Sequence, residues 1–267
     1  MTLSDIRNLI RQNLAQGNLN ASFFLDSDIN TFINDGIKEA CTKGKVLLTH
    51  TGLTVQSTVT TYLLPWQVII IKSLTRDDGT PIPMVDVNNK GMYYVPFTTV
   101  PSAYYLSQVA ITYTEWQANN PYGVWGTSPS LVSYITPTIG NDYFYECTTT
   151  GTSGATQPNF STTLGATTVD NNITWVTREN TGGLYQLTLN VTPVAPPTGI
   201  LYDMWYQAMD SPLASDEQSP TFPFALHRCL TSWGTYKCAE MMKQSKMAVA
   251  YLTEFTNVLG LTAPTGA

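Results

Sequence analysis

The sequence predicts an α+β protein in which an N-terminal helical hairpin and a long C-terminal helix form a helical bundle, joined to a β-domain that carries an inserted small all-β module. Three observations lead there. Apolar residues recur at helical spacing over residues 1–44 and again over 221–260. From Val46 the period falls to two, and Thr, Val and Tyr dominate. Between Trp116 and Gly182 the composition shifts once more, with Arg178 the only basic residue among Thr, Gly, Ser, Asn and Pro. The expected core is residues 1–115 with 184–267, in which 1–44 pack with 221–260 and 46–115 with 184–206, and the module occupies 116–183.

Thr2-x-x-Asp5 has the form of a capping box, and Leu3, Ile6, Ile10 and Leu14 follow on one helical face, closed by Gly17. Asp26 or Ser27 caps a second helix whose stripe is Ile29, Phe32, Ile33, Ile37, Ala40 and Cys41, ending at Gly44. Strands follow around Val68-Ile69-Ile70-Ile71 and Pro81–Met84, with Asp78-Gly79 between them as a type I′ turn signal. Tyr93-Tyr94-Val95 and Val109, Ile111 and Tyr113 extend the β-region to about Glu115. Within the module, strands are expected at Tyr143–Thr148 and Ile173–Val176, joined through the turn-rich Thr149–Ala155. Alternation returns at Tyr185, Leu187, Leu189 and Val191 and again from Ile200 to Tyr206. The polar stretch Asp210–Glu217 reads as an exposed connector. Beyond it Pro223 opens a long helix carrying Leu226, Cys229, Leu230, Trp233, Tyr236, Met247, Ala248, Tyr251, Leu252 and Phe255, with Gly234 as a kink and Gly260 as the stop.

Composition restricts function. Thirteen basic against 19 acidic residues, a net charge of −6, provide no broad cationic surface for sequence-independent duplex binding. Cys41, Cys147, Cys229 and Cys238 form no C-x-x-C pair, so neither a zinc ribbon nor a redox couple is written here, and buried reduced thiols are expected. No signal peptide and no apolar run of membrane-spanning length is expected.

A search for reactive groups finds none in a convincing arrangement, and no enzyme, cofactor or metal is expected. His50 and His227 are too few for a metal site or a His-based triad. Gly151-Thr152-Ser153-Gly154-Ala155 lacks the final glycine and the strand-to-helix setting of a nucleophile elbow, so it reads as a turn. Asp77-Asp78 and Asp216-Glu217 sit in turns, where carboxylates are solvated. Aromatic residues at Tyr93, Tyr94, Tyr104, Tyr105, Trp116, Tyr122, Trp125, Tyr143, Tyr145, Phe160 and Trp175 supply either small β-cores or a flat sugar-stacking platform. Lys237, Lys243 and Lys246 are the one sequence-local basic cluster: they either solvate a helix face or touch DNA phosphate.

The order of these elements carries a resemblance. Leu64-Pro65, the Ile69–Ile71 strand, Asp78-Gly79-Thr80-Pro81-Ile82, the Tyr-rich stretch, the loop Ser211-Pro212-Leu213-Ala214-Ser215-Asp216 and Phe222-Pro223-Phe224 with His227 resemble the head-to-tail adaptor (connector) family of tailed phages over about residues 1–115 and 184–260. Tyr145–Pro158, Gly165, Val169-Asp170 and Thr174-Trp175 are similar to a short β-module of phage tail and fibre proteins, with Phe160 where a Trp is usual and Asn171-Asn172 where Asp-Gly is usual.

The first resemblance implies a non-enzymatic virion protein of the neck or tail, assembled in the host cytoplasm as a homo-oligomeric ring, usually a dodecamer. Such a ring docks beneath the portal, joins capsid to tail or nozzle and possible fibre proteins, and passes genomic DNA with weak contact and no membrane. On that reading Leu226, Trp233, Tyr251 and Phe255 form the oligomer or portal interface and Lys237, Lys243 and Lys246 meet the DNA. The second resemblance implies the alternative of a glycan-binding or fibre-docking tail protein, with Tyr143, Tyr145, Phe160 and Trp175 as the ligand surface.

Overall fold

Four α-helices and fourteen short strands are described by a computed structural model over residues 1–57, 59–86, 100–109, 113–125, 131–179, 184–190 and 200–261. The architecture is α+β. The expected strand at Tyr93–Val95 lies outside the described residues, as do Ile111 and Val191. The chain divides into two compact units, Met1–Leu48 with Gln207–Ala267, and Thr49–Tyr206.

In the first unit, α1 (Leu3–Gln16) starts at the expected capping box: the Thr2 hydroxyl accepts the Asp5 N–H and the Asp5 carboxylate accepts the Thr2 N–H. These bonds to the ionised form pull the Asp5 carboxyl below its ordinary value. Leu3, Ile6, Ile10 and Leu14 are fully buried, which is the face that drives the helix onto its neighbours. In α2 (Asp26–Lys43) the buried stripe is Ile29, Ile33, Ile37, Ala40 and Cys41. Its N-cap is Leu25 rather than Asp26 or Ser27, because Arg11 claims the Asp26 carboxylate at 2.6 Å and Asp28 takes the Leu25 N–H at 3.0 Å.

Gly17 and Gly44 are the C-caps of these helices, as expected, and both also allow close approach. The left-handed residues are Asn18 (φ 57°) and Lys45 (φ 52°), one position later. A β-carbon on Gly17 would lie 2.8 Å from Met247 Sδ, and one on Gly44 2.9 Å from Leu259 Cδ2.

The long C-terminal helix is in fact two helices, α3 (Arg228–Met241) and α4 (Ser245–Val258). Lys243 adopts φ 58°, its N–H reaches Glu240 O at 3.0 Å, and the Gln244 N–H reaches Ala239 O at 2.9 Å. That is a Schellman turn built without glycine or proline, so the chain reverses where composition gives no sign of it. Arg228 then pairs with Glu254, and Trp233 packs on Phe255 with ring centroids 4.8 Å apart, so α4 runs back along α3. Pro223 precedes only a 3-10 turn, Phe224–Leu226. Gly234 does not kink α3; a β-carbon there would collide with Ile10 Cδ1, so the glycine lets α1 approach. The loop before α3 is tied down rather than fully exposed, since buried Asp210 accepts bonds from Ser211 and Thr221, and buried Leu213 sits where Asn34 bonds its N–H and C=O.

The second unit is built from sheets. One has the order β1 (Leu48–Val55), β14 (Ile200–Ala208), β3 (Val68–Thr75), β4 (Pro81–Ile82). Tyr202, Met204 and Tyr206 of β14 point inward while Leu201, Asp203 and Trp205 point out, a clean period of two. The β3–β4 turn is not type I′, because only Gly79 (φ 81°) is left-handed among Asp77, Asp78 and Gly79. Arg76 and Thr80 close a three-residue loop instead, with Asp78 accepting the Thr80 N–H. A second sheet places β13 (Leu184–Leu189) between β2 (Thr61–Leu63) and β5 (Tyr104–Val109), antiparallel to both, with Leu184 opposite Val109 and Leu189 opposite Tyr104. The chain therefore leaves the sheet at the end of β5 and returns in the adjacent strand.

The third sheet has the order β11 (Thr167–Asp170), β12 (Ile173–Glu179), β9 (Tyr143–Thr149), β8 (Tyr134–Thr136), β6 (Thr114–Glu115), all antiparallel except β6 with β8. A two-residue pair, β7 (Pro121–Tyr122) with β10 (Gly151–Thr152), stands beside it in sequence.

Candidate functional site

Sequence reasoning offered the aromatic residues of β9 and β12 as a ligand platform. Tyr145 and Trp175 are fully inaccessible and Phe160 is 7% exposed; they join Trp116, Tyr122, Ile135, Cys147 and Ile173 in one apolar core, with Tyr143 half-buried against it. Tyr145 lies 4.3 Å from Phe160 and Trp175 makes edge contacts with Tyr122 and Phe160. Burial raises the Tyr145 phenol pKa, and its hydroxyl donates to Ser161 O. These rings fill a core, so they present no stacking face to a sugar. Trp125 and Tyr104 are likewise used inside the unit, Trp125 donating its indole N–H to Leu63 O at 2.8 Å and Tyr104 being 2% exposed, while Tyr93 and Tyr94 lie outside the described residues.

Two buried polar centres escaped sequence reasoning. Asp170, 3% exposed, receives the indole N–H of Trp116 at 2.7 Å and of Trp175 at 3.2 Å on one oxygen and the Gly154 N–H at 2.7 Å on the other. Glu146 and Arg178 form a buried ion pair at 2.6 Å between β9 and β12, and Trp66, from the turn before β3, donates its indole N–H to the same Glu146 oxygen at 2.8 Å. The Arg178 guanidinium lies 4.2 Å from the centre of the Trp66 ring. The only sequence signal for the second centre was Arg178 itself, a lone cation in a charge-poor stretch whose partner had to be nearby.

Neither centre is arranged for chemistry. Ser153 is buried, and its hydroxyl donates to Gln117 O at 2.6 Å, so Gly151–Ala155 holds a turn in place. His227 is 4% exposed with Nε2 2.9 Å from Phe222 O, whereas His50 is exposed, stacked on Trp205 and 3.3 Å from Asp203. Burial pushes the thiols of Cys41 and Cys147 to about 11 and those of Cys229 and Cys238 to about 12, away from reactivity. Among the described residues no group of three or more His, Cys, Asp or Glu is placed to hold a metal, and no helix is long and apolar enough to cross a membrane.

Of the four expected interface residues, Trp233 (8% exposed) and Phe255 (1%) are packed against each other within the bundle. Leu226 and Tyr251 are half-exposed. The three lysines also separate. Lys237 lies over Trp233 and Tyr236 and bonds Glu240 at 3.2 Å; partial burial opposes its charge, but Glu240 outweighs this and raises its pKa. Lys243 and Lys246 are exposed at the α3–α4 turn. Beside them a groove of about 310 Å³ opens between the two helices, with Ala248, Val249 and Leu252 along it and Tyr236, Glu240 and Lys243 at its edge.

A family model described as SU10 adaptor protein matches residues 1–266. The chain belongs to the SU10 adaptor protein family. No curated protein matches it. The family makes this adaptor a phage structural protein and a virion component that works with other virion proteins. The match runs through both units, including the third sheet.

Proposed function

We propose that this adaptor is a head-to-tail connector: copies assemble into a ring, of twelve in the form usual for such connectors, that docks beneath the portal, joins the capsid to the tail and gives the genome a passage. The observation that carries the reading is the family match over residues 1–266, which takes in the helical unit and the β-rich unit together. The charge balance agrees with it. A chain of net charge −6 whose one sequence-local basic cluster is three lysines offers few of the cations whose neutralisation by phosphate releases counterions and traps DNA.

With Trp233 and Phe255 committed to the bundle, the intersubunit or portal contact is assigned to half-exposed residues, Leu226 and Tyr251 among those first expected. Residues 116–183 are proposed to be an inserted module, supported by the pairing of β5 directly with β13 on either side of it. Negative-stain electron microscopy of the purified adaptor, alone and with its portal, tests the reading: rings, free or seated on the portal, are expected. Isolated particles that never bind the portal refute it.

A further inference from the structure

We propose that a cleft at the third sheet is a binding site for a neutral carbohydrate, gripped through its hydroxyls and not by ring stacking. The inference stands apart from the ring reading above. Three segments far apart in sequence meet there: Asn119 before β7, residues 153–158 after β10, and residues 169–171 at the end of β11. The cleft measures about 530 Å³, within the range of small-ligand sites. Its walls are already fixed. The Asn119 N–H donates to Gly154 O at 3.0 Å, the Gly154 N–H to Asp170 at 2.7 Å and the Asn171 side-chain amide to Thr152 O at 3.1 Å. Ser153, 1% exposed, donates its hydroxyl to Gln117 O. A ligand entering such a site orders little of the chain, which lowers the cost of binding.

Asp170 decides the chemistry. It is 3% exposed yet forms part of the wall, and its two oxygens are loaded unequally: one takes the indole N–H groups of Trp116 and Trp175, the other the Gly154 N–H alone. That second oxygen keeps acceptor capacity for a ligand hydroxyl. Gly154 leaves it uncovered, since a β-carbon there would lie 3.0 Å from it. The remaining polar side chains used here are neutral, the amides of Asn119 and Asn171 and the Thr156 hydroxyl. Among the described residues the walls hold no cation and no aromatic ring. A carboxylate with no cation beside it repels phosphate, sulfate and carboxylate groups. The aliphatic surface is small, chiefly Val169 at 69% exposure with Pro158, too little to enclose a lipid chain. A sugar hydroxyl both donates and accepts, so several on one ring can satisfy the carboxylate and the amides together while C–H groups rest on Val169 and Pro158.

Saturation-transfer NMR on the full chain tests the site, with maltotriose, mannotriose and chitotriose as neutral probes and sialyllactose as an anionic one. At least one neutral trisaccharide is expected to receive saturation, and sialyllactose is expected to stay silent. Val169→Trp fills the cleft from an exposed position, and Gly154→Ala crowds the Asp170 oxygen at a residue whose backbone is not left-handed. Each should weaken binding about tenfold or more, the worth of one hydrogen bond to a charged group. Val249→Trp, similarly exposed on α4, should change nothing. Should a variant fail to fold, a diazirine derivative of the sugar that binds, cross-linked to the wild-type chain and read by peptide mass spectrometry, should label residues 119, 153–158 or 169–171. Labels confined to other segments overturn the proposal, as do silence from every neutral probe and binding undiminished in both cleft variants. Binding abolished by EDTA would make Asp170 a calcium ligand and overturn direct hydrogen bonding, and stronger transfer to sialyllactose would overturn the charge argument.

Discussion

Replacing Glu146 by leucine isolates the polar tie between the third sheet and the turn before β3. The side chains of Glu146 and Arg178 are only 12% and 6% exposed, and one carboxylate oxygen accepts from Arg178 Nε at 2.8 Å, Arg178 Nη2 at 2.6 Å and Trp66 Nε1 at 2.8 Å. Removing the carboxylate strands a buried guanidinium, at a cost of about 3–5 kcal/mol. For a chain of this size that lowers the unfolding midpoint by roughly 10 °C. The double variant Glu146→Leu, Arg178→Met removes both buried charges and leaves the Trp66 N–H without its acceptor, so its loss should fall to roughly 1–3 kcal/mol. The paired variant is therefore expected to be more stable than the Glu146 single variant, with a coupling of over about 1 kcal/mol. Urea titration followed by tryptophan fluorescence measures both. A single variant within about 0.5 kcal/mol of wild type, or a double variant as unstable as the two singles added together, would refute the argument that the pair is buried and interdependent.

Three other expectations follow from named contacts. The thiols titrate above their ordinary value of 9.0, at about 11 for Cys41 and Cys147 and about 12 for Cys229 and Cys238, so the stability from keeping them protonated is complete below about pH 9 and is lost as pH rises towards 12. For Cys229 that loss amounts to about 4 kcal/mol, at 1.36 kcal/mol per unit; circular dichroism should show alkaline unfolding between pH 9 and 12, and rapid reaction of native thiols with Ellman's reagent at pH 8 would contradict it. Asp170→Asn neutralises the carboxylate that holds two indole N–H groups and the Gly154 amide, and should cost about 2–4 kcal/mol in thermal melts while leaving the helical far-ultraviolet signal intact. Gly36→Val places a β-carbon 2.9 Å from Trp233 Cδ1 and 3.3 Å from Leu230 Cδ2, so overpacking of about 1–3 kcal/mol should exceed the helix-propensity gain; a more stable variant would show that Trp233 yields freely.

The helical hairpin was legible because Ile29, Ile33 and Ile37 alternate with polar residues on a helical period, and the capping box at Thr2 and Asp5 is a local interaction that sequence encodes directly. The break between α3 and α4 was not, because Lys243 adopts a left-handed conformation that lysine seldom signals. The aromatic residues of β9 left two readings open for a different reason. Period-two reasoning assumes one dry face, but Phe144, Tyr145, Glu146 and Cys147 are buried in succession: Phe144 faces Tyr134 while Tyr145 and Cys147 face Trp175, so both faces are covered. Whether a ring stacks on a core or on a ligand depends on what covers the second face, and that is a long-range property. Trp66 and Glu146, eighty residues apart, met only in the folded chain.

The pairing of β5 with β13 has a mechanical consequence. Traction on the polypeptide between these strands enters both at the same end of their ladder, where Val109 faces Leu184, and so peels the hydrogen bonds apart one after another instead of shearing them together. A zipper of that kind yields at low force. The bonds from Trp66 to Glu146 and from Trp125 to Leu63 O bridge the same junction from the side, so load is shared before the first rung of the ladder opens. Under such a load these two indoles would act as guy ropes, setting the tension at which the strands begin to part.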